Sequence, residues 1–183
     1  EGSSTAKPKG EDNIYQATVG KRNVMNDSTV GIHPIYRSGF VERWHTNPDV
    51  PAQTLAGRCG RIAQIVLFFW PDAGTDLLYA ALHHDCGELY VGDMPSPAKQ
   101  AEPDLHFRVS ELEANARERM GIKPLNGEGY CLHFADKVEA YTYVAQKAPH
   151  ILGQPQWVDA LHALGAMADD LRVSQKLADW FRA

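Results

Sequence analysis

Apolar residues recur along this chain at helical spacing, and no stretch alternates as a strand would. Leu55, Ala56, Ile62, Ile65, Val66 and Phe69 line one face of a helix predicted from about Ala52 to Phe69. Pro71-Asp72-Ala73-Gly74-Thr75 breaks the pattern, and a second long helix is predicted from Asp76 to Tyr90. An amphipathic helix with acidic and basic residues is expected over Pro103–Met120, ended by Gly121. Gly127-Glu128-Gly129 precedes a helix around Asp136 that ends near Pro149. A final helix or helix pair spans Pro155–Phe181 and carries Trp157, Leu161, Leu164, Leu171, Leu177 and Trp180. Before these, residues 1–30 are polar with weak periodicity, Ile32 to Trp44 is expected to wrap the core irregularly, and Thr46–Pro51 is a loop with two proline stops. The direct reading is an all-α bundle.

Composition changes this picture little. The 183 residues, 44% hydrophobic, suffice for one ordinary core, so residues 31–183 are expected to form a single helical domain. Residues 1–30 read as an N-terminal extension in which Glu1-Gly2-Ser3-Ser4 resembles an expression remnant and Met25 a natural start. With a net charge of −5 and no basic stripe, a nucleic-acid duplex is not an expected partner. The longest apolar run, Ile62 to Trp70, falls short of the roughly 20 residues a membrane span needs. Three cysteines without CxxC or zinc spacing, and no secretory signal, point to reduced thiols in a cytoplasmic protein.

The chemistry concentrates in His83-His84-Asp85-Cys86-Gly87-Glu88-Leu89-Tyr90-Val91-Gly92-Asp93-Met94-Pro95. An adjacent His84-Asp85 pair offers an imidazole and a carboxylate to one divalent ion. Glu88, one helical turn after His84, is expected to point at the same spot. The prolines that follow end the helix in a rigid loop. Asp136 lies among apolar neighbours on its helix, and a carboxylate so placed needs either a metal or a cationic partner such as an arginine.

The block His84-Asp85-x-x-Glu88 followed by Gly92-Asp93-x-Pro95-x-Pro97-x-Lys99 resembles the HD-domain phosphohydrolases. Within them it is most similar to the 5′-deoxynucleotidase branch and the small enzymes that hydrolyse deoxynucleoside triphosphates. Arg43-Trp44 upstream and Ala135-Asp136 downstream belong to the same resemblance, which runs from about Phe40 to Tyr143. It implies an all-α HD bundle of five to seven helices and metal-dependent hydrolysis of 2′-deoxynucleotides. It implies His84, Asp85 and Asp136 as metal ligands, with Mn, Co, Fe, Zn or Ni as the ion and Mg also admitted. Asp85 and Glu88 take the catalytic roles, Glu88 by orienting a water or moving its proton. Arg43 is implied to grip phosphate, Trp44 to cover the sugar, and Asp93 to approach the sugar hydroxyl. A homodimer or higher oligomer is also implied, with the aromatic C-terminal helix as a candidate interface.

One position departs from the resemblance. The first histidine ligand of the family falls on Arg58, within Gln53-Thr54-Leu55-Ala56-Gly57-Arg58-Cys59. A guanidinium stays protonated and only donates, so it cannot ligate. Three outcomes stay open: His45 or His83 supplies the missing bond; His84, Asp85 and Asp136 bind a metal weakly; or Arg58 sits in the centre as a cation between Asp85 and Asp136, leaving a nucleotide-binding protein with little hydrolysis. A signalling nucleotide as the substrate of an HD hydrolase is the third functional reading beside these two.

Overall fold

The helical punctuation of the sequence is largely what the structure, a computed structural model, displays over the described residues 31–124 and 129–182. The expectations placed on residues 1–30, Met25 among them, and on Gly127-Glu128 lie outside those residues. The chain enters through the short helix α1 (Pro34–Ser38) and a two-residue antiparallel ribbon. That ribbon pairs β1 (Glu42–Arg43) with β2 (Gln53–Thr54), Arg43 opposite Gln53. There follow α2 (Leu55–Phe69), α3 (Thr75–His83), a 3-10 turn (Cys86–Leu89), α4 (Ser96–Ala101) and α5 (Pro103–Arg119). The last third holds α6 (Gly129–Lys147), α7 (Pro155–Asp170) and α8 (Ser174–Arg182). The fold is all-α, as read from the sequence, with six helices of nine residues or more and two short ones among the described residues. The described residues from Ile32 onward form one compact unit.

Two predicted boundaries shift, each for a local reason. Helix α2 begins at Leu55 instead of Ala52, because Gln53 and Thr54 are used as a strand and the Thr54 hydroxyl then caps the helix by accepting from Gly57 N–H at 3.3 Å. The second helix was expected to run to Tyr90, yet α3 stops at His83. Arg117 of α5 donates to the His84 carbonyl at 2.8 Å, and Glu88 N–H instead closes a tighter turn on Asp85 O at 2.9 Å. Gly87 permits this. A Cβ there would lie 2.7 Å from the Cα of Glu113, so α5 rests directly on the turn's backbone.

The core is built on the α2 stripe. Ile62, Val66 and Phe69 pack with Leu77 and Ala81 of α3, Phe134 and Val138 of α6, and Leu164 and Ala168 of α7. The Phe69 and Phe134 rings meet edge to face at 5.0 Å. The C-terminal tryptophans are spent inside the molecule. Trp180 packs on Phe68 and donates to the Thr142 hydroxyl at 2.9 Å, and Trp157 packs on Trp44 and Tyr141. Val158, Leu161 and Phe181 are the large apolar residues these two helices leave exposed. Among the described residues no helix is long and apolar enough to cross a membrane.

Candidate functional site

Helices α2 and α6 lie side by side behind the α3 terminus, and this brings Arg58, His84, Asp85 and Asp136 together. Arg58, one turn into α2, is 4% exposed. Its Nη1 is ion-paired with Asp85 Oδ2 and its Nη2 donates to Asp136 Oδ1. Nη1 also lies 3.3 Å from His84 Nε2. Burial, helped by the nearby charge of Arg43, lowers the guanidinium to about 10, so it remains protonated at neutral pH. Asp136 thus has a cationic partner in Arg58, one of the two kinds of partner expected for it.

His84 is held for accepting. Its Nδ1 faces the carbonyls of Ala80 and Ala81, both at 3.2 Å, which sets the proton on Nδ1 and leaves the Nε2 lone pair for Arg58. Burial, and next the Arg58 charge, push its pKa down to about 3, so the ring is neutral over the ordinary range. A neutral imidazole nitrogen and two carboxylates are donors that suit a divalent ion. Arg58 lies among these same atoms and brings only donors and a positive charge. With its side chain in this place the centre fits a guanidinium and not a metal ion.

The structure adds one residue that the sequence reading set aside. Ligand atoms of Cys59, His84 and Asp85 lie within 4.8 Å of one another. Cys59 follows Arg58 on α2 and carries no zinc spacing, so only its neighbourhood to the expected ligand position could have singled it out. Burial pushes its thiol up to about 11, so it is a neutral thiol and a weak donor near pH 7. Neither His45 nor His83 joins the group. His45 is exposed and faces the Glu42 carbonyl at 3.3 Å, and His83 stacks on Tyr79 at 4.2 Å.

Glu88 sits on the 3-10 turn, so it does not share a helix face with His84 as expected. It is 6% exposed, and its Oε2 has no hydrogen-bond partner among the described residues. Burial, then the neighbouring Asp93 charge, raise its pKa to about 7, against the opposing pull of Arg58 and Arg43. A carboxyl poised there can take or give a proton at neutral pH. Asp93 follows Gly92, whose φ of +76° turns the chain back, and it meets Arg43 Nε at 3.4 Å. The buried Arg43 Nη1 has no partner among the described residues and is free to donate. Lys99 lies 3.7 Å from Glu113.

Trp44 is partly buried and anchored as a core residue is. Its indole packs on Trp157 at 6.0 Å and beside Val50, Val144, Ala148 and Ile151. The Arg43 guanidinium lies 5.2 Å from the ring centroid. Its backbone has φ +66°, a left-handed conformation that costs a bulky residue about 1–3 kcal/mol and persists only where surroundings enforce it. The enforcing contacts are visible. Trp44 Nε1–H donates to Gln53 Oε1 at 3.1 Å, and Gln53 Nε2 donates to Glu139 Oε1 at 2.5 Å. The apolar cavity of about 420 Å³ lined by Tyr36, Phe40, Leu55, Cys59 and Leu82 includes none of Arg43, Glu88 and Asp93.

A family profile described as 5′-deoxynucleotidase YfbR-like matches residues 72–128. That span holds His84, Asp85, Glu88 and Asp93, while Arg43, Trp44, Arg58 and Asp136 lie outside it. The match supports a deoxynucleotidase-type hydrolase of the HD kind over this part of the chain. No curated protein and no solved structure matches the chain.

Proposed function

We propose that the chain acts on 2′-deoxynucleotides as a deoxynucleotidase-type phosphohydrolase, releasing phosphate or a longer phosphate group. The observation that carries this reading is the convergence of Arg43, Glu88 and Asp93 beside His84, Asp85 and Asp136, from the ribbon, the α3 end, the following loop and α6. Arg43 Nη1 supplies a donor for a phosphate oxygen, and Asp93 an acceptor for a sugar hydroxyl. Glu88 supplies the proton-handling carboxyl near pH 7. Trp44 fixes the backbone that presents Arg43.

Arg58 favours a second reading, nucleotide binding with little turnover. A neutral His84, two carboxylates and one guanidinium leave the inner centre with one net negative charge. A divalent ion with a neutral histidine at position 58 would leave it uncharged. The arginine therefore makes the centre less welcoming to a phosphate anion.

The deciding experiment is product formation from deoxynucleoside mono- and triphosphates with Mn, Co or Mg, run on this chain and on Arg58→His, with bound metal measured alongside. Turnover by the unaltered chain supports the hydrolase reading as it stands. Turnover confined to Arg58→His, with metal gained and rates up by about 100-fold or more, the scale of transition-state electrostatic effects, supports the second. Inactivity of both, with no deoxynucleotide bound, removes the substrate assignment. Equal competition by ribonucleotides would return attention to a signalling nucleotide.

A further inference from the structure

We propose that Glu139 is a positioning residue for the Arg43-Trp44 pair, acting through Gln53. For its ligand the proposal rests on the deoxynucleotide reading; its geometry stands without it.

Glu139 lies one helical turn after Asp136 on α6 and is 1% exposed. A carboxylate so buried is costly, and an apolar residue would fill the place at less expense. Its Oε1 accepts from Gln53 Nε2 at 2.5 Å and from Arg61 Nε at 2.8 Å. Its Oε2 has no hydrogen-bond partner among the described residues. Gln53, also buried, is held from both sides.

The network has a direction. A carboxylate can only accept, so Gln53 must turn its NH₂ toward Glu139, which points its carbonyl oxygen at the Trp44 indole N–H. A flipped amide would set donor against donor at Trp44. The same Gln53 pairs through its backbone with Arg43. One residue thus holds both members of the Arg-Trp pair, and the acceptor oxygen at position 139 dictates which way it faces. Tyr143 secures the outer edge: its hydroxyl donates to the carbonyls of Pro51 and Ala52 at 3.1 and 3.0 Å, and Arg61 lies 5.5 Å from its ring. The chain joins this network to the inner centre through one turn of α6, from Asp136 to Glu139.

The test follows the Trp44 indole N–H directly. In ¹⁵N-labelled protein its resonance is identified by its loss in Trp44→Phe, and its hydrogen exchange is compared across variants. Equilibrium binding of deoxynucleoside mono- and triphosphates, and of the matching ribonucleotides, is measured by calorimetry on the same samples. Glu139→Leu is expected to speed indole exchange and weaken deoxynucleotide binding by about tenfold each, the loss of one hydrogen bond to a charged group. Glu139→Gln keeps an acceptor oxygen for Gln53 and should restore both to within about threefold. If Glu139→Leu does not fold, Gln53→Met removes the indole acceptor while leaving Glu139 with Arg61, and the same two effects are expected. The proposal is overturned if indole exchange is unchanged in a folded Glu139→Leu or Gln53→Met protein, or if Glu139→Gln is as impaired as Glu139→Leu. Unaltered protein that shows this exchange pattern but binds none of the nucleotides upholds the network and overturns the deoxynucleotide reading instead.

Discussion

Helices α2 and α6 make the same ion pair twice, one turn apart, and the two copies do different things. Arg58 meets Asp136, and three residues further along both helices Arg61 meets Glu139. In the first copy the arginine is the buried member, at 4% exposure of the residue, and it has a second carboxylate, Asp85, and the His84 ring around it. In the second the acid is buried, at 1%, while the Arg61 side chain is 44% exposed. Burial decides what each charge is worth. An arginine in water can be lost cheaply, whereas one buried between two carboxylates cannot, because its removal strands both.

The largest effect should therefore come from Arg58→Met. We expect a loss of about 3–5 kcal/mol in chemical denaturation near neutral pH, since Asp85 and Asp136 lose a shared buried cation. A loss no greater than that of an exposed pair would break the contrast. Arg58→His sharpens it from the other side, because there a neutral imidazole leaves room for an ion, and added Mn or Co should recover stability that the same ions do not give the unaltered chain.

Gly87→Ala comes next. Its new methyl would press on the α5 backbone at Glu113 and displace the turn that delivers Asp85 to Arg58, at a cost of about 1–3 kcal/mol by the same measurement. An unchanged midpoint would show that the turn is not pinned there.

The pH response tests the burial around the inner copy. Glu88 has a folded pKa of about 7 above its ordinary 4.5, so its contribution is fully present below pH 4.5 and is lost as pH rises to about 7. His84 has a folded pKa of about 3 below its ordinary 6.5, so its contribution is present above pH 6.5 and is lost as pH falls toward 3. Glu88→Gln should accordingly be more stable than the unaltered chain at pH 8, by on the order of 1–3 kcal/mol, with the advantage shrinking toward pH 4.5. A constant difference across that window would mean that Glu88 is not titrating there.

The smallest effect is expected from Arg61→Ala. That side chain is 44% exposed and water can enter where it leaves, so the buried Glu139 carboxylate, still held by Gln53, should lose about 1–2 kcal/mol, more than a wholly exposed pair is worth and less than Arg58→Met costs. A loss as large as that of Arg58→Met would place the two copies on an equal footing and undo the distinction.

Much of the architecture was legible because periodicity and helix-breaking residues act locally. The α5 helix begins at Pro103 and its regular part ends at Arg119, within a residue of the reading made from Pro103 and Gly121. The α2 stripe of Ile62, Ile65, Val66 and Phe69 is buried as its spacing implied, although Ala56 is exposed. The end of α3 was not legible, since it depends on Arg117 reaching the His84 carbonyl from 33 residues away. Nor was the placement of Cys59, whose proximity to His84 and Asp85 has no signature in spacing. Gln53 and Glu139 are 86 residues apart, and neither carries a motif that would pair them.

What the residues settle by themselves is chemical identity: a helical chain with an imidazole and carboxylates in a deoxynucleotidase-like block, and a permanent cation at position 58 that can never act as a ligand. Where that cation goes is a tertiary matter. An arginine on α2 can reach solvent or turn inward, and only the packing of α2 against α6 and the end of α3 removes water and sets two carboxylates within its reach. Local propensity acts over a few residues, while a buried charge takes its partner from whatever the fold brings beside it. The sequence therefore decides that position 58 holds no ligand, and the fold decides that its guanidinium stands among the donors a metal would use.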